Sequence, residues 1–124
     1  DDSLVRGTSS KAIIKALRRS GAKKISMLIT YPQINYPCYA GIDFPSQEEL
    51  ATFTDGKEMT TEEITEMVRK SIGVDFLGYN DADNLADAVG MPKDSMCFTC
   101  SSGNYDSLGI KPDFSKREQV KGKI

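Results

Sequence analysis

A short apolar segment, residues 25–30, constrains the fold of this chain more than any other feature. It reads Ile-Ser-Met-Leu-Ile-Thr and follows a helical pattern in which Ile13, Ile14 and Leu17 share one face and Gly21 supplies the end. A nearly continuous apolar run of this length is typical of a buried parallel strand. Helix and strand together predict an α/β unit.

The same alternation continues toward the C-terminus. Thr60 with Glu63 matches a capping box at the start of a helix that ends at Gly73. Residues 74–79 then predict a second short strand, and Asp81 can cap a last helix. Ile64, Met67 and Val68 of the first of these two helices are assigned to packing, and the last helix carries Leu85, Ala86 and Val89.

The segment between the first strand and the second long helix predicts an irregular but packed loop. Residues 31–45 contain three prolines, which forbid regular structure, yet the segment is too apolar for a solvated linker. Ser46 with Glu49 matches a capping box for a short helix through Leu50, and Asp55-Gly56 marks a turn.

Composition narrows the class of protein. The 124 residues fit one domain that can bury a core without disulfides. A net charge of −2 gives no basic field for nucleic acid, and no apolar run is long enough for a transmembrane helix, so we expect neither nucleic acid nor membrane as a partner.

Three cysteines and no secretory pattern favour the reducing cytoplasm as the location of the protein. Because the sequence opens at Asp1 without an initiator Met, we expect a fragment of a longer chain.

The loop of residues 1–10 combines two chemistries. Asp1 and Asp2 can accept hydrogen bonds from sugar hydroxyls or ligate a hard cation such as Mg²⁺. Gly7 and the Thr-Ser-Ser sequence of residues 8–10 can surround an anion with backbone N–H groups and hydroxyls at a helix start. The spacing suits a phosphorylated sugar. The alternative to a binding site is that Thr8 or Ser9 only caps the helix and that Asp1 and Asp2 are solvated.

Cys97 and Cys100 form a CxxC pair, and Cys38 is the third cysteine of the chain. By spacing alone the pair could be half of a zinc site, a redox pair or two ligands of an iron-sulfur cluster. A closed zinc site is incomplete because the chain has no histidine. A redox pair is expected at a helix start after a strand, which this pattern does not predict. Three buried free thiols remain a further alternative.

Residues 1–10 closely resemble the phosphoribosyl-diphosphate loop of type I phosphoribosyltransferases, in the form found in glutamine amidophosphoribosyltransferases. The likeness continues through residues 21–24, through 36–46 with Glu49-Leu50, and through 72–75. It implies an α/β fold, the C-terminal portion of a type I phosphoribosyltransferase with a Rossmann-like parallel sheet.

The resemblance also implies an organisation for the chain. Residues 1–124 would be the C-terminal part of the phosphoribosyltransferase domain. Within it, 1–30 would hold the loop, helix and strand, 31–100 the C-terminal helices with cysteine-bearing loops, and 101–124 an irregular tail.

The activity implied by the resemblance is transfer of glutamine-derived ammonia to C1 of 5-phosphoribosyl 1-diphosphate, the committed step of purine synthesis. Glutamine would be hydrolysed by a missing N-terminal domain, so we expect little or no activity from this chain alone. No catalytic nucleophile is assigned, and Asp1 and Asp2 would contact Mg²⁺ as well as ribose. The implied substrate contacts are Asp1, Asp2, Ser3, Arg6, Gly7, Thr8, Ser9 and Ser10.

The cysteines resemble those of a subgroup of the family that carries a [4Fe-4S] cluster. Cys38, Cys97 and Cys100 would supply three ligands, with the fourth cysteine upstream of this chain. The family also implies a homodimer or homotetramer. Two alternatives stay open: a salvage phosphoribosyltransferase, which would lack both cysteine segments, and a noncatalytic iron-sulfur or zinc-binding module.

Overall fold

The computed structural model describes residues 1–41 and 46–112, which contain two short parallel strands, four α-helices and three short 3-10 helices. The elements are α1 (Thr8–Arg19), β1 (Ser26–Ile29), α2 (Thr61–Ile72), β2 (Phe76–Tyr79), α3 (Ala82–Val89) and α4 (Thr99–Ser102). The predicted order of long helices and strands is confirmed through α3. No helix in these two segments is long and apolar enough to cross a membrane.

β1 is hydrogen-bonded along both of its edges. One edge pairs in parallel with β2. On the other edge the Asp1 nitrogen donates to the Leu28 carbonyl at 2.9 Å, and the Thr30 N–H donates to the Asp1 carbonyl at 3.1 Å. This is the bonding pattern of parallel strands. The backbone of Asp1 therefore extends the sheet, and the loop that follows leaves from the carboxyl end of β1.

The hydrophobic core lies on one face of the sheet. Ile29 of β1 and Leu77 of β2 are buried there together with Val68 of α2. The other buried members of this cluster are Leu4, Ile14, Ile25, Ile72 and Val74. On the opposite face Leu28 and Phe76 are 66% and 54% exposed. Among the described residues the two strands are therefore covered by helices on one side.

The ends of α2 and α3 follow the predicted caps. The Glu63 N–H donates to the Thr60 hydroxyl at 3.2 Å, and the Thr60 N–H donates to the Glu63 carboxylate at 2.8 Å. This reciprocal pair satisfies N–H groups that have no partner inside the helix. Asp81 accepts from the Asn84 N–H at 2.8 Å in the same way. Gly73 and Gly90 end the two helices, as predicted.

The predicted apolar face of α1 is only partly buried. Ile14 is 4% exposed, whereas Ile13 and Leu17 are 51% and 43% exposed. The helix itself is confirmed, but its apolar stripe is wider than the contact it makes with the core.

The irregular loop after β1 packs against α2 in its described part. Ile34 is 4% exposed and Gln33 5%. The Gln33 amide donates to the Thr61 carbonyl at 2.8 Å and to the Thr65 hydroxyl at 2.7 Å. The predicted packing is thus observed for residues 31–38, whereas 39–41 are exposed and 42–45 lie outside the described residues. The predicted tail is described only to residue 112, with a helical turn at Asp106–Leu108.

Asp75 joins three parts of the fold. Its carboxylate accepts from the Ile25 N–H at 2.8 Å at the start of β1 and from the Arg18 guanidinium of α1 at 2.7 Å. The Ile25 N–H and then Arg18 hold the pKa of Asp75 below its usual range. Arg18 also donates to the Lys23 carbonyl at 2.7 Å. The bonds of Asp75 and Arg18 together fix where α1 ends and β1 begins.

We predict that Asp75→Asn lowers the urea midpoint of unfolding at pH 7. A carboxyl group whose pKa is lowered by folding stabilises the fold above its unfolded pKa, about 3.9, and this contribution is lost as the pH falls through the folded value. The difference in urea midpoint between the unmodified chain and Asp75→Asn should therefore shrink in acid. Asp87→Asn removes the same charge from an exposed residue of α3 and is the control. Equal midpoints for the two variants would contradict the prediction.

Candidate functional site

The loop of residues 1–10 is held at the carboxyl edge of the sheet. The Tyr31 N–H donates to the Asp2 carbonyl at 2.9 Å, directly after β1. Further along, the Ala51 N–H donates to the Val5 carbonyl at 2.7 Å. In open α/β sheets, ligands bind in crevices at the carboxyl ends of the strands. The loop thus lies where the fold places ligand sites.

The two aspartates at the start of the loop expose their carboxylates to solvent. The Asp2 N–H donates to Asp1 Oδ1 at 3.0 Å, and the Ser3 N–H donates to Asp2 Oδ1 at 2.7 Å. These bonds orient each group, while a carboxylate has room for about four hydrogen bonds. Oriented, exposed carboxylates fit a hydrated Mg²⁺ and the hydroxyls of a sugar.

The start of α1 differs from the starts of α2 and α3. Gly7 precedes α1, and no side chain caps the helix or places a negative charge in its first turn. Thr60 and Asp81, by contrast, cap the other two helices. The first intrahelical bond runs from the Lys11 N–H to the Gly7 carbonyl, so the N–H groups of residues 8–10 have no intrahelical acceptor. This end of α1 can accept an anion, and the alternative of a hydroxyl-capped helix is wrong.

The side chains around this helix start are not equally accessible. Thr8 and Ser9 are exposed, whereas Ser10 is buried at 4%. The guanidinium of Arg6 lies 3.5 Å from the Glu49 carboxylate, and both side chains are about half exposed. Arg6 is therefore a member of the loop whose ion-pair partner, Glu49, could be replaced by a surface anion.

Gly7 is required by the packing of the loop as well as by its backbone. Its φ of +76° lies in the left-handed region, which disfavours side chains. A Cβ at this position would lie 3.2 Å from Ile72 Cγ2 and 3.7 Å from Ala51 Cβ. The sequence analysis placed Gly7 in a candidate anion site, and the structure shows that Gly7 also packs closely against Ile72 of α2. The loop and the end of α2 are thus held together.

We predict that Gly7→Ala destabilises the chain more than Gly21→Ala. Both glycines have a positive φ, but a Cβ added at Gly21 would have no atom within 4 Å, so that variant carries backbone strain alone. That strain costs about 1–2 kcal/mol. The Gly7 variant adds the contact with Ile72. Chemical denaturation of both variants measures the difference, and equal losses would show that the contact is unimportant.

Tyr31 packs the loop that carries Cys38, described for residues 31–41 and here named the Cys38 loop, against the CxxC segment, residues 97–100. Its hydroxyl donates to the Cys97 carbonyl at 2.9 Å and lies 3.6 Å from Cys100 Sγ. Its ring stacks on Phe98 with centroids 5.8 Å apart. Segments about 60 residues apart in sequence are therefore in direct contact.

Two more aromatic rings complete this contact. The Tyr105 hydroxyl donates to the Pro37 carbonyl at 2.5 Å, and its ring meets that of Tyr39 edge-on at 5.2 Å. A Cβ on Gly103 would lie 2.9 Å from the ring of Tyr36, so only glycine fits there. The contact between the two cysteine-bearing segments thus depends on aromatic residues and a glycine that are far apart in sequence. No local sequence pattern predicts that they meet.

All three cysteines are free thiols. The backbone N–H and then the hydroxyl of Thr99 hold the pKa of Cys97 below its usual range, whereas burial raises the pKa of Cys100. The pair lies at the start of α4, a helical turn that the sequence did not predict. Within residues 1–41 and 46–112, no three Cys, His, Asp or Glu side chains are close enough to hold a metal ion. The donor atoms suit a soft metal, but a ligand cage is not formed.

The described fold is similar to that of a solved amidotransferase. A Bacillus subtilis glutamine phosphoribosylpyrophosphate amidotransferase, solved in complex with ADP and GMP, matches the structure with a TM-score of 0.70 and 33% identity. The match covers 85% of this chain and 22% of that one. The chain is therefore an α/β protein with the fold of this region of the amidotransferase. No family model matches the sequence.

Two curated relatives narrow the identification. An amidophosphoribosyltransferase of Methanothermobacter thermautotrophicus is 36% identical over 98% of this chain and 24% of its own length. A chloroplastic amidophosphoribosyltransferase of Arabidopsis thaliana is 41% identical over 90% of the chain and 18% of its own length. The chain belongs to the amidophosphoribosyltransferase family and spans about a fifth of the length of these relatives. The predicted family and fold class are confirmed.

Proposed function

We propose that this chain is the part of an amidophosphoribosyltransferase that binds 5-phosphoribosyl 1-diphosphate. The enzyme transfers ammonia derived from glutamine to C1 of this sugar, which gives 5-phosphoribosylamine, the first committed intermediate of purine synthesis. The uncapped start of α1 beside two exposed carboxylates is the observation that carries the proposal. It offers anion-binding and diol-binding groups within one short loop.

Each part of the loop has a proposed role. The N–H groups of residues 8–10, with the exposed hydroxyls of Thr8 and Ser9, hold the 5-phosphate at the positive end of the α1 dipole. Asp1 and Asp2 accept hydrogen bonds from the ribose hydroxyls and would hold Mg²⁺, which neutralises charge on the diphosphate when bound. The proposed contact set is Asp1, Asp2, Ser3, Arg6, Gly7, Thr8, Ser9 and Ser10.

The reaction requires stabilisation of charge rather than a nucleophilic side chain. As diphosphate leaves C1, positive charge develops on the ribose ring and ammonia forms the new C–N bond. The oriented carboxylates of Asp1 and Asp2 lie on a loop that the Tyr31 N–H and the Ala51 N–H hold in place. Preorganised groups of this kind stabilise a developing charge without a cost in reorganisation.

We predict that Ser9→Asp weakens binding of the sugar diphosphate about tenfold or more, since a carboxylate at the start of α1 would repel the phosphate and compete for the same N–H groups. Ser20→Asp adds the same charge at the opposite end of α1 and is the control. The affinity is measured by calorimetry with Mg²⁺ present. The KM is measured in a chimera in which the chain replaces the matching segment of the Bacillus subtilis relative.

Equal effects of the two substitutions on affinity and KM would defeat the assignment of the phosphate site. Circular dichroism of both variants shows whether α1 is retained, so that loss of fold is not mistaken for loss of the site.

The rest of the proposal concerns the longer polypeptide that the relatives represent. Glutamine would be bound and hydrolysed in a separate domain, and the intact enzyme would be a homodimer or homotetramer in the cytoplasm. The chain makes up 24% and 18% of the two curated relatives, which supports assigning these functions to other segments.

A second element of the proposal is that Cys38, Cys97 and Cys100 supply three ligands of a [4Fe-4S] cluster. Two observations favour it: the Cys38 loop is packed on the CxxC segment through Tyr31, and the pKa of Cys97 is lowered toward the thiolate that iron prefers. The sulfur atoms would have to move closer to bind, since no three-ligand group is formed in the described part.

We predict that anaerobic reconstitution with iron, sulfide and an external thiol gives a brown protein with visible charge-transfer absorbance. Replacement of Cys38, Cys97 or Cys100 by Ser should each reduce bound iron, because each removes a thiolate. Ser102→Ala, beside the pair but without a sulfur atom, is the control. Iron content unchanged in all three variants would exclude the cluster. Iron binding without affinity for the sugar diphosphate would favour a noncatalytic module.

A further inference from the structure

Glu49 faces the loop of residues 1–10 from a neighbouring segment of the chain. Its Oε1 atom lies 3.5 Å from Nε of Arg6. The backbones of the two segments are joined as well, since the Ala51 N–H donates to the Val5 carbonyl at 2.7 Å. The loop therefore has beside it a carboxylate that belongs to a distant part of the sequence.

The carboxylate of Glu49 is held in place by the protein itself. Its Oε2 atom accepts from the Ser46 N–H at 3.0 Å and from the Ser46 hydroxyl at 3.2 Å. This is the capping box that the sequence predicted. The other oxygen, Oε1, faces Arg6. The Ser46 N–H, and to a lesser extent Arg6, hold the pKa of Glu49 below its usual range, so this group is charged at neutral pH.

Arg6 lies close in sequence to the start of α1, whose first N–H groups have no intrahelical acceptor. The first turn of this helix has no acidic residue. Positive charge therefore accumulates over residues 6–10, from the guanidinium and from the helix dipole. Glu49 pairs with the guanidinium, whereas a phosphate dianion can pair with it and also accept from the free N–H groups. Glu49 and a phosphate thus compete for Arg6.

We propose that Glu49 is a positioning residue that lowers the affinity of the loop for the sugar diphosphate, because its carboxylate holds Arg6 and must be displaced before the 5-phosphate can pair with the guanidinium. This inference rests on the proposed function, in which Arg6 contacts the substrate. The side chains of Arg6 and Glu49 are 43% and 53% exposed, so water and salt weaken their ion pair. The ion pair is therefore weak enough for a phosphate dianion to replace it.

The test measures the affinity of the chain for 5-phosphoribosyl 1-diphosphate by calorimetry with Mg²⁺ present. Glu49→Gln removes the charge and keeps the capping box, which glutamine also forms. We expect the affinity to rise about twofold to fivefold, the range that an exposed ion pair allows. A variant that only damaged the local structure would weaken binding instead.

The same substitution separates KM from kcat in the chimera with the Bacillus subtilis relative. We expect Glu49→Gln to lower KM by the same factor and to leave kcat unchanged. The reason is that the pair between Glu49 and Arg6 is already broken when substrate is bound, in the ground state and in the transition state alike.

Glu48→Gln is the matched control, because it removes the same charge from the neighbouring residue. Glu48 contacts the Ser46 hydroxyl and forms no ion pair in the described part of the chain. We expect this variant to bind the sugar diphosphate like the unmodified chain. Glu49→Gln should also lose its effect in an Arg6→Gln background, since Glu49 then has no guanidinium to hold.

The proposal is overturned if Glu49→Gln weakens binding, if it matches Glu48→Gln, or if its gain in affinity persists in the Arg6→Gln background. In each of these cases the unmodified chain still binds the sugar diphosphate and Ser9→Asp still weakens binding, so the proposed function stands. If the unmodified chain does not bind the sugar diphosphate, the proposed function fails and this inference fails with it.

Discussion

The two-sided pairing of β1 is the interaction on which the rest of the structure depends. Its four residues bond to β2 on one edge, and Leu28 and Thr30 at its carboxyl end bond to the backbone of Asp1 on the other. Because β1, β2 and the backbone at Asp1 run in parallel, their carboxyl ends point the same way. The chain therefore leaves all three at the same end of the sheet, into the loop of residues 1–10, the proline-rich loop after β1 and the start of α3. Asp75 fixes the opposite end through Ile25 and Arg18.

The sequence predicted those features that depend on local interactions. Thr60 with Glu63, and Asp81, marked the starts of α2 and α3 because a capping side chain and the N–H group that donates to it lie within one helical turn. The strands were predicted at 25–30 and 74–79, while the ladder covers Ser26–Ile29 and Phe76–Tyr79. The paired strands are shorter than predicted because the partner strand sets where pairing ends. The sequence of one strand alone does not show how far its partner extends. The opening loop was found from its own residue types, since its carboxylates and helix start are adjacent.

Contacts between distant positions could not be predicted in this way. Gly7 approaches Ile72, and Tyr105 bonds to Pro37, across more than 60 residues of sequence in each case. Neither pair has a spacing that a helix or strand would impose. Long-range packing of this kind is visible only in the structure.

One residue, Tyr31, links the loop of residues 1–10 to the segment that carries Cys97 and Cys100. The backbone N–H of Tyr31 holds the Asp2 carbonyl at 2.9 Å, and the hydroxyl of the same residue holds the Cys97 carbonyl at 2.9 Å. Its ring is further fixed against Phe98. A shift of the cysteine segment would therefore act on the ring and, through the backbone, on the loop that carries the carboxylates. The position of Asp2 depends on the packing of the cysteines as well as on the sheet.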